Sequence, residues 1–303
     1  MSDFNVINTS GVSKNEFSLT VISGKGGTGK TTITASLAYL VDKEIVKADC
    51  DVDASNLGII LEGETLEQSK YIGAKVALIN QAMCDQCGGC KDVCRYDAVD
   101  IKDSKYIVNN LKCEGCNACV VNCHLDAIKL IEEVTGDVIK KDTKAGKLVT
   151  SKMIPGAEGS GKLVTEVRRV GKTENSETLI DGSPGIGCAV MASVTGSNHS
   201  LIVTEPTQSG FEDMKRVYEI VANFDSIPLA VINKYDINEE VAIKIEKECE
   251  RLGIKIVGKI PFDTTVNEAV NNLKPIIEYK DSKAAIAINE MYKNILNVIK
   301  GEN

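Results

Sequence analysis

Two groups of residues in this sequence have types and spacings suited to chemistry. The first runs from Gly24 through Lys25, Gly26, Gly27, Thr28, Gly29 and Lys30 to Thr31. It satisfies the pattern G-x-x-x-x-G-K-[ST], whose backbone amides wrap phosphate oxygens. The glycines allow a sharp turn and a close approach of amides to anions. Lys30 is placed to reach β- and γ-phosphates, and Thr31 to ligate a magnesium ion. The second group is cysteine. Of 11 cysteines, eight fall between residues 84 and 123. Cys84, Cys87, Cys90 and Cys94 form C-x2-C-x2-C-x3-C, and Cys113, Cys116, Cys119 and Cys123 repeat it 29 residues later. The flanks repeat as well, Asp97-Ala98-Val99 against Asp126-Ala127-Ile128. In a chain without a secretion pattern, thiols this dense point to metal rather than disulfides.

Elements to position these groups are legible around them. Leu19-Thr20-Val21-Ile22 reads as a buried strand, and Thr32 to Leu40 as a helix with apolar residues at 33, 37 and 40. The helix points its positive end at the bound anion. Glu44 to Ala48 reads as a strand that delivers Asp49-Cys50-Asp51-Val52-Asp53 at its carboxyl end, where open α/β sheets bind ligands. Thr178-Leu179-Ile180-Asp181 is a further strand ending in an acid, fitted to hold a magnesium shell. His199 to Thr204, Leu229 to Ile232 and Ile254 to Ile260 read as strands, and residues 210–223 and 283–300 as helices. Alternating strands and helices predict an α/β fold, a mostly parallel sheet covered on both faces. Residues 132–178 read as a polar surface connection, with Leu163 to Val170 a strand or hairpin arm and Arg168 and Arg169 solvated.

The second lysine in Lys25-Gly26-Gly27-Thr28-Gly29-Lys30-Thr31 resembles the MinD, Mrp, ParA and nitrogenase iron-protein group of P-loop ATPases. The resemblance implies a cofactor set of ATP and Mg2+ held by Gly24 to Thr32, and an ATP-dependent homodimer in which Lys25 reaches phosphates of the partner subunit. It implies that Asp51 contacts the attacking water, with Asp53 able to share the work. It also implies that Asp181 serves as the Walker B acid and that the Gly185 amide senses the γ-phosphate. Asn233 takes the place of the adenine contact, and Pro261-Phe262-Asp263 that of a second base-contacting segment. Asn233-Lys234-Tyr235-Asp236 also matches the guanine signature N-K-x-D, so GTP stays open beside ATP. In the iron protein a cysteine just after switch II, the segment that Gly182-Ser183-Pro184-Gly185 resembles here, ligates a bridging cluster. Cys188 stands there without the second cysteine such a subunit contributes, and it is read, with Cys50 and Cys249, as a small buried residue. MinD ends in a membrane helix. The last helix here has Ile288, Met291, Ile295, Leu296 and Ile299 on one face but a weakly basic polar face, so packing on the core is expected.

The duplicated cysteine run resembles the bacterial two-cluster ferredoxin module. In that module the fourth cysteine of each run ligates the other cluster. The resemblance implies one 4Fe–4S cluster on Cys84, Cys87, Cys90 and Cys123, and another on Cys113, Cys116, Cys119 and Cys94. The module's usual proline after the fourth cysteine is Arg95 in one run and His124 in the other. Zinc is the rival metal, since C-x2-C pairs also make zinc sites. The expected domains are a leader over 1–17, an ATPase domain over 18–82 and 132–303, and a ferredoxin insert over 83–131.

The 303 residues are 43% hydrophobic with a formal charge of −8, which argues against a general nucleic-acid binder. No apolar run of membrane length exists, the polar start carries no signal peptide, and cytoplasm is the default expectation. Three functions compete: an ATP-gated electron-transfer protein acting on a redox partner, an iron–sulfur carrier resembling Mrp, and a MinD-like positioning ATPase with redox-sensing clusters.

Overall fold

The computed structural model of the protein describes residues 17–157 and 159–301. The leader expected over 1–17 therefore lies outside the described residues except for Phe17. That residue is buried and donates its N–H to Glu177 Oε1 at 2.9 Å.

In chain order the elements are β1 (Ser18–Ser23), α1 (Lys30–Leu40), β2 (Val46–Asp49), α2 (Leu57–Ile60), β3 (Gly63–Ile79), α3 (Gly89–Asp92), β4 (Val99–Lys102), β5 (Lys105–Val108), α4 (Ala118–Asn122), β6 (Ile128–Thr143) and β7 (Gly146–Met153). There follow α5 (Ser160–Glu174), β8 (Thr178–Pro184), α6 (Cys188–Val194), β9 (His199–Thr204), α7 (Gln208–Ala222), β10 (Ile227–Asn233), α8 (Glu239–Leu252), β11 (Lys255–Ile260), α9 (Thr265–Asn271) and α10 (Lys283–Lys300).

The chain divides into two compact units. One takes the chain as far as Gln68, then Val138–Lys152 and everything from Ser160 onward; the other takes Ser69–Asp137 and Met153–Gly159. The second unit is wider than the insert expected over 83–131, because β3 and β6 each carry the chain from one unit to the other.

Sheet order is β11-β10-β9-β1-β8-β2-β7-β6-β3. From β11 to β7 every neighbouring pair is parallel, with Leu19 opposite both Leu179 and His199. β6 and β7 are joined by two residues, a length that permits only an antiparallel hairpin. Gly63 lies against Asp142, and Gly73 against Thr135, so β3 runs antiparallel to β6. The central strands are buried on both faces, which is why they read as continuous apolar runs. Leu19, Val21, Leu201, Val203, Leu229 and Val231 enter one core with Ile33 and Leu37 of α1 and Ile288, Met291 and Ile295 of α10. The alternate residues Ile22, Ile202, Ala230 and Ile232 face the other core, with Val190 and Val194 of α6, Met214, Val217 and Val221 of α7, and Ile245 of α8. Burying the three α10 side chains contributes about 1.5–3 kcal/mol each. The apolar face of the last helix is therefore spent on the core. Among the described residues no helix is long and apolar enough to cross a membrane.

Residues 132–178 are not a surface connection. They form β6, β7 and α5. The run from Leu163 to Val170 is helical, since Leu163, Val164, Val167 and Gly171 recur at three- and four-residue intervals and are the buried ones. Arg168 falls on that same face and is buried, whereas Arg169 is exposed and pairs with Glu166 at 2.7 Å.

The second unit is a duplication in three dimensions as well as in sequence. Left-handed backbone recurs at the 29-residue offset: Gln86 with Gly115, Gly88 with Asn117, and Asp97 with Asp126. α3 and α4 begin at matching positions. The halves also exchange equivalent hydrogen bonds. Asn80 N–H donates to Ala127 O at 2.7 Å, and Asn109 N–H donates to Ala98 O at 2.8 Å.

Candidate functional site

The first unit gathers its polar groups at the carboxyl ends of β1, β2, β8 and β10, where a parallel sheet presents ligand sites. Between β1 and α1 the loop turns through Gly27 (φ +81°) and Gly29 (φ +88°), a region that L-residues avoid. Gly29 is doubly required, because a Cβ there would collide with Asn233 Nδ2. Gly26, Gly27, Gly29, Lys30, Thr31 and Thr32 line a cleft of about 620 Å³, opposite Asp51, Asp53, Ser183 and Pro184. Gly24 packs on Asp213, and Thr28 is buried with its hydroxyl lacking a partner.

Lys30 is the hub of this cleft. Its buried Nζ lies 2.9 Å from Asp181 Oδ1, 3.3 Å from Asp51 Oδ2 and 3.2 Å from Thr31 Oγ1. Thr31 and Thr34 donate their hydroxyls to Asp181 at 2.9 and 2.8 Å. Burial opposes the lysine charge, but Asp181 and Asp51 outweigh it and raise the Lys30 pKa above that of an ordinary lysine. Burial, with Asp181 adding to it, drives the Asp51 carboxyl upward against the pull of Lys30. Asp49, opposite Asp181 in the sheet, is fully buried, and its pKa is pushed up by burial first and by Asp181 second. One of its oxygens accepts from Gly58 N–H and Thr150 Oγ1, each at 3.2 Å; the other lacks a partner. A cationic nitrogen held among carboxylate and hydroxyl oxygens marks a place suited to a divalent ion. The donor set of Thr31, Asp181 and Asp51 fits Mg2+, which favours oxygen ligands.

Lys25 is half-exposed and turned within its own chain, with Nζ 2.9 Å from Ser209 Oγ and 4.0 Å from Glu205. The Gly185 N–H is already committed, donating to Ser23 O at 2.8 Å. A second cavity, beside the loop, is lined by Gly27, Gly29, Asn233, Pro261, Phe262 and Asp263. Asn233 Nδ2 donates to Thr28 O at 2.8 Å, fastening this cavity to the loop. One oxygen of Asp236 accepts Phe262 N–H at 2.7 Å. Asp263 accepts from Ser282 Oγ (2.6 Å), Thr265 N–H (2.9 Å) and Ala284 N–H (3.2 Å). The Ser282 hydroxyl, ahead of the amides, holds its pKa well below the usual carboxylate range.

In the second unit the eight clustered cysteines are unpaired by disulfides and line two small cavities. Cys84, Cys87, Cys90 and Cys123 line one, with Tyr106, Leu125 and Ile128. Cys94, Cys113, Cys116 and Cys119 line the other, with Tyr96, Val99, Val108 and Leu130. Cys87 and Cys116, repeat mates, are the exposed member of each set. Four sulfurs around one apolar-walled cavity are a donor set suited to a 4Fe–4S cluster, so the residues present fit that group.

The model of the CobQ/CobB/MinD/ParA nucleotide binding domain matches residues 19–276. The chain belongs to this family. It is 34% identical over 284 residues to an uncharacterized protein of Methanocaldococcus jannaschii, covering 93% of this chain and 97% of that one. It is 24% identical over 304 residues to an iron-sulfur cluster carrier protein of Pyrococcus abyssi, covering 94% and 87%. The structure of the septum site-determining protein MinD of Pyrococcus horikoshii OT3, complexed with Mg-ADP, shares the fold with a TM-score of 0.57 over 94% of this chain and 98% of that one, at 18% identity.

Within this CobQ/CobB/MinD/ParA chain three site features differ from the sequence expectation. Cys188 is exposed and lines the cleft, whereas Cys50 and Cys249 are buried. It stands at the first turn of α6, facing Gly161 of α5, a neighbour that sequence spacing does not reveal. Arg168 reaches α6 and the segment after it rather than water, donating to Ala192 O at 2.6 Å and to Ser197 Oγ at 3.3 Å. Asp49 joins the acidic group through strand register, which only the folded sheet defines.

Proposed function

We propose that this protein binds Mg-ATP in the cleft, hydrolyses it slowly as a homodimer closed through Lys25, and carries two 4Fe–4S clusters whose electron transfer is coupled to nucleotide state. The observation that carries this reading is the four-by-four grouping of cysteine sulfurs around two cavities in a chain of a nucleotide-binding family.

Lys30, Thr31 and Asp181 hold one another. In the proposed complex Lys30 turns to the β- and γ-phosphates, which frees Asp181 and Thr31 to organise the magnesium shell. Asp51 then orients the attacking water. With the Gly185 amide engaged by Ser23 O, any sensing of the γ-phosphate by Gly185 requires that bond to break. Lys25 leaves Ser209 to reach the partner's phosphates. The base sits against Asn233, Pro261 and Phe262, and Asp236 holds that segment through Phe262 N–H. Asp263 supports that segment from behind. When bound, the clusters supply one-electron capacity. Cys84, Cys87, Cys90 and Cys123 hold one, and Cys94, Cys113, Cys116 and Cys119 the other. The second unit's residues lie in the chain between Asp51 and Asp181, so both of its ends lead to groups that respond to phosphate.

The test is to reconstitute the protein anaerobically and assay iron and sulfide, expecting about eight of each per chain. ATP affinity is then measured with the clusters oxidised and reduced. A coupling of ordinary size changes it about 5- to 150-fold. Stoichiometric zinc without sulfide refutes the cluster reading. Equal affinities leave two functions merely tethered.

A further inference from the structure

The two cysteine sites are related by the 29-residue repeat, so any difference between them stands out against a matched background. One difference concerns hydrogen bonds to sulfur. Ala77 N–H donates to Cys113 Sγ and Ala98 N–H to Cys94 Sγ, each at 3.4 Å. Both sulfurs belong to the set of Cys94, Cys113, Cys116 and Cys119. The repeat mate of Ala77 is Tyr106, and that of Cys113 is Cys84. Tyr106 N–H does not go to Cys84; it donates to Gln86 Oε1 at 3.1 Å. Gln86 is braced in turn, its Nε2 3.4 Å from Gln81 Oε1, while Gln81 Nε2 donates to Tyr106 O at 2.8 Å. The repeat mate of Gln86 is Gly115, which has no side chain and cannot gain one, because a Cβ there would collide with Lys75 O. One half thus intercepts the amide that the other half gives to sulfur.

Resting on the cluster reading above, we propose that Gln86 contributes to a gap between two unequal redox sites. The site of Cys94, Cys113, Cys116 and Cys119 has the higher potential, and the site of Cys84, Cys87, Cys90 and Cys123 the lower. The physical reason is that reduction adds negative charge, part of it on sulfur. An N–H dipole aimed at sulfur stabilises the reduced state and raises the potential. Each site takes one electron from an external low-potential one-electron donor, with no bond made or broken. The first electron settles on the site with the two additional N–H···S contacts from Ala77 and Ala98. An electron placed on the other site passes to the first, one site being oxidised as its neighbour is reduced. Gln86 is a positioning residue in this scheme, since it acts through the Tyr106 amide.

The experiment is a dithionite titration of the reconstituted full chain followed by EPR, for wild type, Gln86→Gly and Gln86→Asn. Gln86 has φ +63°, close to the +58° of Gly115, so glycine accepts the backbone without strain, and asparagine tolerates it with a side chain too short to reach Tyr106. Wild type is expected to show two one-electron steps. Both variants are expected to shift the lower step upward and leave the upper one in place, with iron and sulfide content unchanged. Coincident steps in wild type overturn the proposal. So does a variant that moves only the upper step, or neither. Absence of iron and sulfide from the wild-type protein is a separate result, and it overturns the cluster reading itself.

Discussion

Asp263→Ala tests whether Asp263 touches the base, as the family resemblance implies, or builds the cavity wall, as its contacts indicate. Its carboxylate ties three donors from two helix starts: Thr265 N–H at α9, and Ser282 Oγ and Ala284 N–H at α10. A hydrogen bond to a charged acceptor is worth about 1.5–3 kcal/mol. The group is half-exposed, so water can replace some of what is lost and solvent screens the charge. A net cost of roughly 2 kcal/mol follows, about a 30-fold change in the unfolding equilibrium. In a chain of this size that lowers the midpoint by about 3 °C. The pH dependence has a definite sign. A carboxyl whose folded pKa is depressed contributes its full stability above the ordinary carboxylate pKa and loses it as pH falls through the folded value. The difference between wild type and Asp263→Ala is therefore full at pH 7 and shrinks only below about pH 4. The assay is nucleotide-free unfolding at pH 7 and pH 3, with amide exchange on α10 alongside. A variant that unfolds like wild type at pH 7 yet loses ATP affinity refutes the reasoning and returns Asp263 to the base.

Gly29→Ala places a Cβ against Asn233 Nδ2 and forces an L-residue into the left-handed region at about 1–2 kcal/mol. ATP affinity by calorimetry should fall at least about tenfold, with the fold retained by circular dichroism. Asp51→Asn should bind ATP within a few-fold of wild type but show no phosphate release, a separation that a binding role for Asp51 would not produce. Cys188 should react with iodoacetamide in the free protein and be protected by Mg-ATP, as mass spectrometry of the labelled peptide would show; unprotected labelling removes it from the cleft. Lys47 is buried with Nζ on Asp42 O, and burial lowers its pKa to about 8. The native state thus binds fewer protons than the unfolded one between about pH 8 and 10.5, stability should rise across that window, and Lys47→Met should abolish the rise in urea titrations.

Much of the nucleotide side was legible because its signals are local. The loop from Gly24 to Thr31 needs its glycines for φ and its lysine for charge, and both are residue-type requirements that sequence displays. The cysteine runs were legible for the same reason, since spacing sets which sulfurs share a turn. What escaped depends on burial or register. The run from Leu163 to Val170 satisfies a strand pattern over eight residues, and only the longer interval to Gly171 shows the helical period. Arg168 looked solvated because arginine almost always is; its place on the buried face follows from that period. The tie between Asp49 and Asp181 comes from β2 and β8 lying side by side with nearly 130 residues between them in the chain. The engagement of Gly185, Asp236 and Asp263 with backbone and hydroxyl partners belongs to tertiary structure alone.

The reciprocal bonds between Asn80 and Ala127 and between Asn109 and Ala98 bear on how such a module can arise and be taken apart. Each half lends the other a backbone carbonyl, and each lends its last cysteine, Cys94 or Cys123, to the other's cavity. A lone half would own three sulfurs for one cavity, a stray fourth, and an amide with nowhere to donate. Two copies of it meeting about a two-fold axis would repair all of these at once, which is the logic of a symmetric dimer. The duplicated sequence is what fusing such a pair into a single gene would leave behind. The same interdependence sets a rule for dissection: excising one half does not yield a one-cavity protein, because it dismantles both.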